Sequence, residues 1–178
     1  GEIQRRKQSK PSILHSDNSV DDYSVIHSLK VLRQQVPGDA FKVLYPSDKA
    51  INLQSLGQLA GWHFESPFKV GVNNQWGSWF AYRVLLLARS QFEPTAAVKL
   101  QSPCGSCSSQ PCIKACPADA IDGVNYDLPA CLTYRQSANS LCSDRCVARE
   151  ACPAGEIKKY SRQQISYHYR LSLARVSR

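Results

Sequence analysis

The chain has 178 residues, 43% of them hydrophobic, and a formal net charge of +8, which is enough sequence for one ample domain or two small ones. Its longest apolar stretch, residues 84–88, is far too short to cross a bilayer, so we expect no transmembrane segment. The charge is concentrated at the ends: residues 1–10 hold four basic side chains against one acidic, and residues 156–178 hold six against one.

The charge distribution predicts a basic N-terminal tail over 1–18 and a basic C-terminal helix or tail over 156–178. Such ends favour a partner protein with an acidic docking surface, or peripheral association with an anionic membrane surface. Nucleic acid is not an expected partner, because no recognisable nucleic-acid-binding module accompanies the charge.

The first structured region is predicted to be a small α/β domain over 19–100. Ser19 is the expected N-cap of a helix over about 20–35, where apolar residues recur every three to four positions. Pro37 and Gly38 end this helix. Phe41 to Tyr45 alternates apolar and polar residues as a strand does.

The second half of this region predicts another helix over 51–60, with Gly61 as its C-cap. An apolar segment over 68–72 and a turn over 73–75 follow. The run over 79–88 is nearly all apolar and rich in aromatic residues, and it is interpreted as a buried strand, with a short buried helix as the alternative that periodicity leaves open.

From residue 101 the amino-acid composition changes, because cysteine, proline and glycine occur at short intervals over 101–155 and predict short loops. This composition is expected where metal bonds replace an apolar core. A closing helix is predicted over 156–175, with Ile165, Tyr169 and Leu171 on one side.

Eight cysteines lie in two runs within this second region, and no other cysteine exists. The first run is Cys104, Cys107, Cys112 and Cys116, and the second is Cys131, Cys142, Cys146 and Cys152. Each run ends in a repeated motif, since residues 115–121 and 151–157 match at five of seven positions and both contain Cys-Pro. A duplicated ligand motif indicates an internal pseudo-two-fold fold.

Each run contains four cysteines and ends in Cys-Pro, and this pattern predicts the ligands of two [4Fe–4S] clusters. Three other interpretations stay open. Four disulfides would suit a secreted domain, but no secretory pattern opens the sequence. Two structural zinc ions would favour paired C-x2-C knuckles, and only one C-x2-C occurs. Cysteines without any metal are the remaining alternative.

The cysteine motifs resemble small bacterial four-iron ferredoxins. The resemblance covers 103–153, including Pro-Cys-Gly-Ser-Cys, Pro-Cys-Ile-Lys-Ala-Cys-Pro, Tyr-Asp-Leu-Pro-Ala-Cys and Cys-Val-Ala-Arg. More distantly, Trp-Gly-Ser-Trp-Phe at 76–80 is similar to the segment that leads into the iron–sulfur half of epoxyqueuosine reductase and reductive dehalogenases.

The resemblance implies two [4Fe–4S] clusters with crossed ligands. One cluster would take Cys104, Cys107, Cys112 and Cys152. The other would take Cys116, Cys131, Cys142 and Cys146. The expected fold class is therefore α+β, with a ferredoxin-like two-cluster domain over 101–155 following the small α/β domain and with basic terminal tails.

These features favour an electron-transfer protein that passes single electrons to or from a redox partner. An accessory iron–sulfur subunit of a larger complex is the first alternative, and a corrinoid-linked or small-substrate reductase is the second. We expect a carrier or subunit rather than an enzyme and assign no catalytic residue. Iron–sulfur clusters favour a reducing compartment, which is the bacterial cytoplasm or, in a eukaryote, the mitochondrial matrix.

Overall fold

The computed structural model describes residues 19–36, 40–96 and 101–176. It is a mixed fold of helices and two small antiparallel sheets, as the α+β class predicts. The described chain forms two compact units: unit 1 contains 19–36, 40–53 and 81–96, and unit 2 contains 54–80 and 101–176. The predicted tail over 1–18 lies outside the described residues, as do 97–100 and the last two residues of the predicted C-terminal tail.

The division into units differs from the predicted boundary at residue 100. Residues 54–80 belong with the cysteine-rich region rather than with the helix and strands that flank them in sequence. Their hydrogen bonds and packing, described below, place them around the cysteines.

Unit 1 begins with helix α1 (Ser19–Leu32), where the sequence predicts a helix. Two acidic residues in its first turn, Asp21 and Asp22, complement the positive end of the helix dipole. Val25 and Leu29 are buried on one face. The helix ends earlier than predicted, in hydrogen-bonded turns after Leu32.

Strands β1 (Phe41–Tyr45) and β4 (Leu85–Ala88) form the sheet of unit 1 and pair antiparallel, with Phe41 opposite Ala88. The prediction of a strand over 41–45 is confirmed. The prediction of a buried strand over 79–88 is confirmed as a strand only for Leu85–Ala88, and residues 79–84 are not in a strand. None of the four strand residues is buried, and Leu87 is 61% exposed. The run is divided because Trp79 and Phe80 belong to unit 2 and the following residues to unit 1.

Helix α2 (Leu53–Leu59), from its second residue on, and strands β2 (Phe64–Glu65) and β3 (Gly71–Val72) lie in the first part of unit 2. Gly61 has a φ of 73°, so its prediction as the C-cap of this helix is confirmed. The hairpin of β2 and β3 is closed by the Ser66 hydroxyl, which donates to the Val70 carbonyl at 2.6 Å.

The cysteine-rich part of unit 2 contains more helix than predicted. Its elements are α3 (Pro111–Lys114), α4 (Leu128–Gln136), α5 (Val147–Glu150), a 3-10 turn (Glu156–Lys158) and α6 (Arg162–Val176). The closing helix was expected from the sequence, and Ile165 is its buried anchor.

The core of unit 2 is built around Phe68, Cys112, Ile121 and Ala148. Three more cysteines pack against it, so thiols take the place of the large aliphatic residues that fill an ordinary core. None of the helices in the described part of the chain has the length and apolar character needed to span a membrane.

Candidate metal centres

Four cysteines, which we call the first quartet, surround a cavity of about 50 Å³. They are Cys104, Cys107, Cys112 and Cys152. The first two come from a turn in which the Cys107 N–H donates to the Cys104 carbonyl at 3.2 Å. The third lies on α3, and the fourth follows α5. The second repeat therefore completes a group begun by the first.

The other four cysteines, the second quartet, line a separate cavity of about 310 Å³. They are Cys116, Cys131, Cys142 and Cys146. Cys116 follows α3, Cys131 lies in α4, and Cys146 caps the N-terminus of α5. These groups contain the same positions that the ferredoxin resemblance assigns to the two clusters, and their role as iron ligands stays a prediction.

The short helices α3 and α5 occupy equivalent places in the two repeats and pack against each other. In each copy the alanine before Cys-Pro, Ala115 or Ala151, donates its N–H to the carbonyl four residues earlier at 3.0 Å. The cysteine itself, Cys116 or Cys152, donates to the carbonyl three residues earlier at 3.2 Å. The repeated sequence therefore folds into a repeated structure that points each Cys-Pro cysteine away from its own run.

The repeated structure extends to a position where the two copies have different residues. Asp119 and Gly155 hold the same place, three residues after the Cys-Pro cysteine, and both have positive φ angles of 48° and 68°. Glycine adopts this left-handed conformation freely, and aspartate is one of the few other residues that tolerate it.

Burial raises the pKa of the Cys104, Cys112, Cys142 and Cys152 thiols, and it raises the pKa of Cys146 to about 11. Neighbouring thiols of the same quartet raise these values further. Four ionised thiols in one quartet therefore repel one another and require a cationic group between them. Binding of such a group would release protons.

Backbone amides lower the cost of charge on some of these sulfurs. The Arg149 N–H donates to Cys146 Sγ at 3.4 Å, and amides at Val147 and Ala154 lower the pKa of Cys142 and Cys152 against the effect of burial. Amide–sulfur hydrogen bonds are a recognised means by which proteins stabilise iron–sulfur clusters. They occur in both quartets.

The donor set of each cavity consists of four thiols. In the described residues, no group of three or more His, Cys, Asp or Glu side chains is arranged to hold one metal ion. The sulfurs instead surround volumes, and all eight cysteines are free of disulfides. Eight thiols in two groups of four suit the four outer corners of two [4Fe–4S] clusters.

Two features of the site have weaker sequence signals. Phe68 lines both cavities, and nothing in its sequence context marks it as a shared wall. Helix α4, which holds Cys131, begins at the Asp127 side chain, which accepts from the Ala130 N–H at 2.8 Å. The Asp-Leu-Pro sequence at 127–129 is a helix-start signal that could have identified it.

The C-terminal helix is fastened to the loop of the second quartet through Asp144. Its carboxylate pairs with Arg162 at 2.6 Å and Arg170 at 3.6 Å, and it accepts from the Ser166 hydroxyl at 2.9 Å. These groups hold the pKa of Asp144 below its usual value, with the Arg162 hydrogen bond as the largest cause. The basic residues predicted to face a partner therefore also have an intramolecular role.

Comparisons with protein-family models, curated proteins and solved structures found no match for this chain. The interpretation of the site consequently depends on the cysteine motifs and on the geometry of the two quartets.

Proposed function

We propose that this protein is an electron carrier with two [4Fe–4S] clusters, one in each quartet of a ferredoxin-like domain. The observation that carries the proposal is the separation of eight thiols into two groups of four, each lining its own cavity. Four thiolates are the complete ligand set of one such cluster. When bound, these clusters exchange single electrons, which suits a reducing compartment such as the bacterial cytoplasm or mitochondrial matrix.

The chain's own residues supply the ligands, shield them from water and moderate their charge. Phe68, which lines both cavities, and Cys112 are 6% and 7% exposed, so these two side chains are shielded from solvent. Backbone N–H groups point to sulfur in both sites, which stabilises negative charge there.

A redox partner with an acidic docking surface is part of the proposal, with a refinement at the C-terminal end. Lys159 pairs with Glu150 at 3.5 Å, and Arg162 and Arg170 pair with Asp144. Within the described part of the C-terminal end, we therefore assign the docking role to Lys158 and Arg175. The Lys158 amino group lies 5.2 Å from the centre of the Trp76 ring.

An accessory subunit of a larger complex is a second candidate, favoured by unit 1. This unit contains none of the cysteines, and its helix α1 exposes Tyr23, Ile26 and Val31 by 67%, 53% and 48%. Exposed apolar residues on one element are typical of a surface that another protein covers. This candidate would be favoured if the protein purifies with a large assembly under native conditions and if changing these three residues to Ser abolishes that association.

The decisive test is anaerobic purification followed by iron, sulfide and zinc analysis and by EPR spectroscopy of the dithionite-reduced protein. We expect about eight irons and eight sulfides per chain. A Cys107→Ser variant should lose signal from one site only, whereas the nearby Ser108→Ala variant should keep both. Two zinc ions without sulfide would contradict the proposal.

A further inference from the structure

The two cavities differ in charge. Among the residues that the structure describes, no charged side chain lines the cavity of the first quartet, whose walls are Pro67, Phe68, Pro103, Gln110, Pro111, Pro153 and Ala154. Three arginines line the cavity of the second quartet, Arg135, Arg145 and Arg149. The two sites therefore present different electrostatic surroundings to any group bound in them.

Arg135 is the most buried of the three, with 9% of its surface exposed. Its Nε donates to the Cys142 carbonyl at 3.3 Å, and its Nη2 donates to the Tyr169 carbonyl at 3.0 Å. Among the described residues it forms no ion pair with a carboxylate. Because a buried guanidinium needs an anion nearby, the charge of the second quartet is its natural counterpart.

Arg149 has a similar position. Its guanidinium donates to the hydroxyl and carbonyl of Ser78 and lies 4.4 Å from the centre of the Trp79 ring. Within the described chain it also lacks a carboxylate partner. The equivalent place in the first repeat is held by the apolar Ile113, so the charge is a feature of one repeat only.

The third arginine contributes less to this difference. Arg145 pairs with Glu150 at 2.7 Å, and the opposite charges partly cancel at a distance. Asp144, the other carboxylate near the second quartet, is likewise paired with Arg162. The surplus positive charge at this site is therefore that of Arg135 and Arg149.

We propose that Arg135 and Arg149 make the second site the more easily reduced of the two, so that an electron entering the protein rests there first. This inference rests on the proposed function. The step adds one electron from an external one-electron donor and forms or breaks no bond. A nearby buried cation favours the state with the extra negative charge, and local charge is one of the factors that set cluster potentials. Amide–sulfur hydrogen bonds occur at both sites, so they do not remove the difference.

The test is an anaerobic EPR redox titration with dithionite. In the Cys152→Ser variant, which keeps the second quartet intact, the midpoint should be higher than in Cys116→Ser, which keeps the first. Arg149→Gln and Arg135→Gln should each lower only the higher midpoint of the otherwise unaltered protein. We expect at least a tenfold fall in the ratio of reduced to oxidised second sites, about 59 mV for one electron. Arg149→Lys should recover most of the shift.

The matched control is Arg170→Gln, the same substitution at a side chain that is 74% exposed, where water screens the charge. It should shift either midpoint far less. Equal midpoints at the two sites, or arginine variants that shift both midpoints alike, would overturn the inference. The arginine variants are compared only when they hold about eight irons per chain, and the two cysteine variants only when they hold about four. If an arginine variant fails to fold, the comparison of the two cysteine variants still tests the inference. A protein without iron and sulfide would instead refute the proposed function.

Discussion

Gly77 and Gly155 lie backbone against backbone, and neither position has room for a side chain. A Cβ on Gly77 would come 1.9 Å from the Ala154 carbonyl oxygen, and one on Gly155 would come 2.2 Å from the Gly77 nitrogen. Both residues also have positive φ angles. This contact joins the 73–77 turn to the segment after the second Cys-Pro and so holds Ser78 beside Arg149.

The contact predicts that Gly155→Ala strongly destabilises unit 2. The left-handed backbone costs about 1–2 kcal/mol for a residue with a Cβ, and overpacking adds about 1–3 kcal/mol. Denaturant unfolding of the cluster-loaded protein measures the loss. Gly105→Ala is the control, because its Cβ would meet only the Ser102 carbonyl at 3.4 Å. Equal stability of the two variants would show that the backbone can separate.

Crossed ligation predicts reciprocal damage from two single substitutions. Cys116→Ser should mainly remove the cluster of Cys131, Cys142 and Cys146, because Cys116 lines their cavity. Cys152→Ser should mainly remove the other cluster for the same reason. EPR spectra and Mössbauer spectra of each variant distinguish the remaining site. Loss of the first cluster on changing Cys116 would mean that each run of cysteines is self-contained.

Removal of iron should unfold residues on both sides of the cysteines in sequence. Unit 2 includes 54–80, and Phe68 lines both cavities, so this segment depends on the same packing as the ligand loops. Chelation should therefore speed tryptic cleavage after Lys69. Cleavage after Lys42, in the sheet of unit 1, should change much less. Unchanged cleavage at Lys69 would separate this segment from the metal-dependent fold.

His63 predicts a loss of stability in acid. It is 4% exposed, and burial lowers its pKa below the ordinary value of about 6.5. Below pH about 6.5 the unfolded chain binds a proton at His63, whereas the folded protein keeps this side chain neutral. The free energy of unfolding is therefore at its full value above pH about 6.5 and decreases as the pH falls below it. His63→Gln should reduce the pH dependence of the free energy of unfolding, measured by urea unfolding between pH 7 and pH 5. The exposed His27→Gln is the control and should retain it.

Short sequence patterns predicted the elements that form through interactions between residues close together in the chain. Helix α1, strand β1 and the Gly61 cap follow from residue spacing and from backbone preferences at single positions. The repeated Cys-Pro motif similarly predicted two equivalent structures, because short sequences that match at five of seven positions share the same local backbone preferences.

Tertiary packing decided the rest, which is why the sequence did not reveal it. The run over 79–88 is uniformly apolar, yet Trp79 packs beneath Arg149 and Tyr160 while Leu87 is exposed. Arg135 and Arg149 are also unremarkable in sequence, since their separation from the described carboxylates is a property of the fold alone.

Each group of four cysteines takes one member, the Cys-Pro cysteine, from the opposite repeat. Neither repeat alone therefore contains all four cysteines of a quartet. A substitution of Cys116 or Cys152 affects the quartet whose other three cysteines lie in the opposite run. The two copies also differ in their surroundings, with Ile113 in one and Arg149 at the equivalent place in the other.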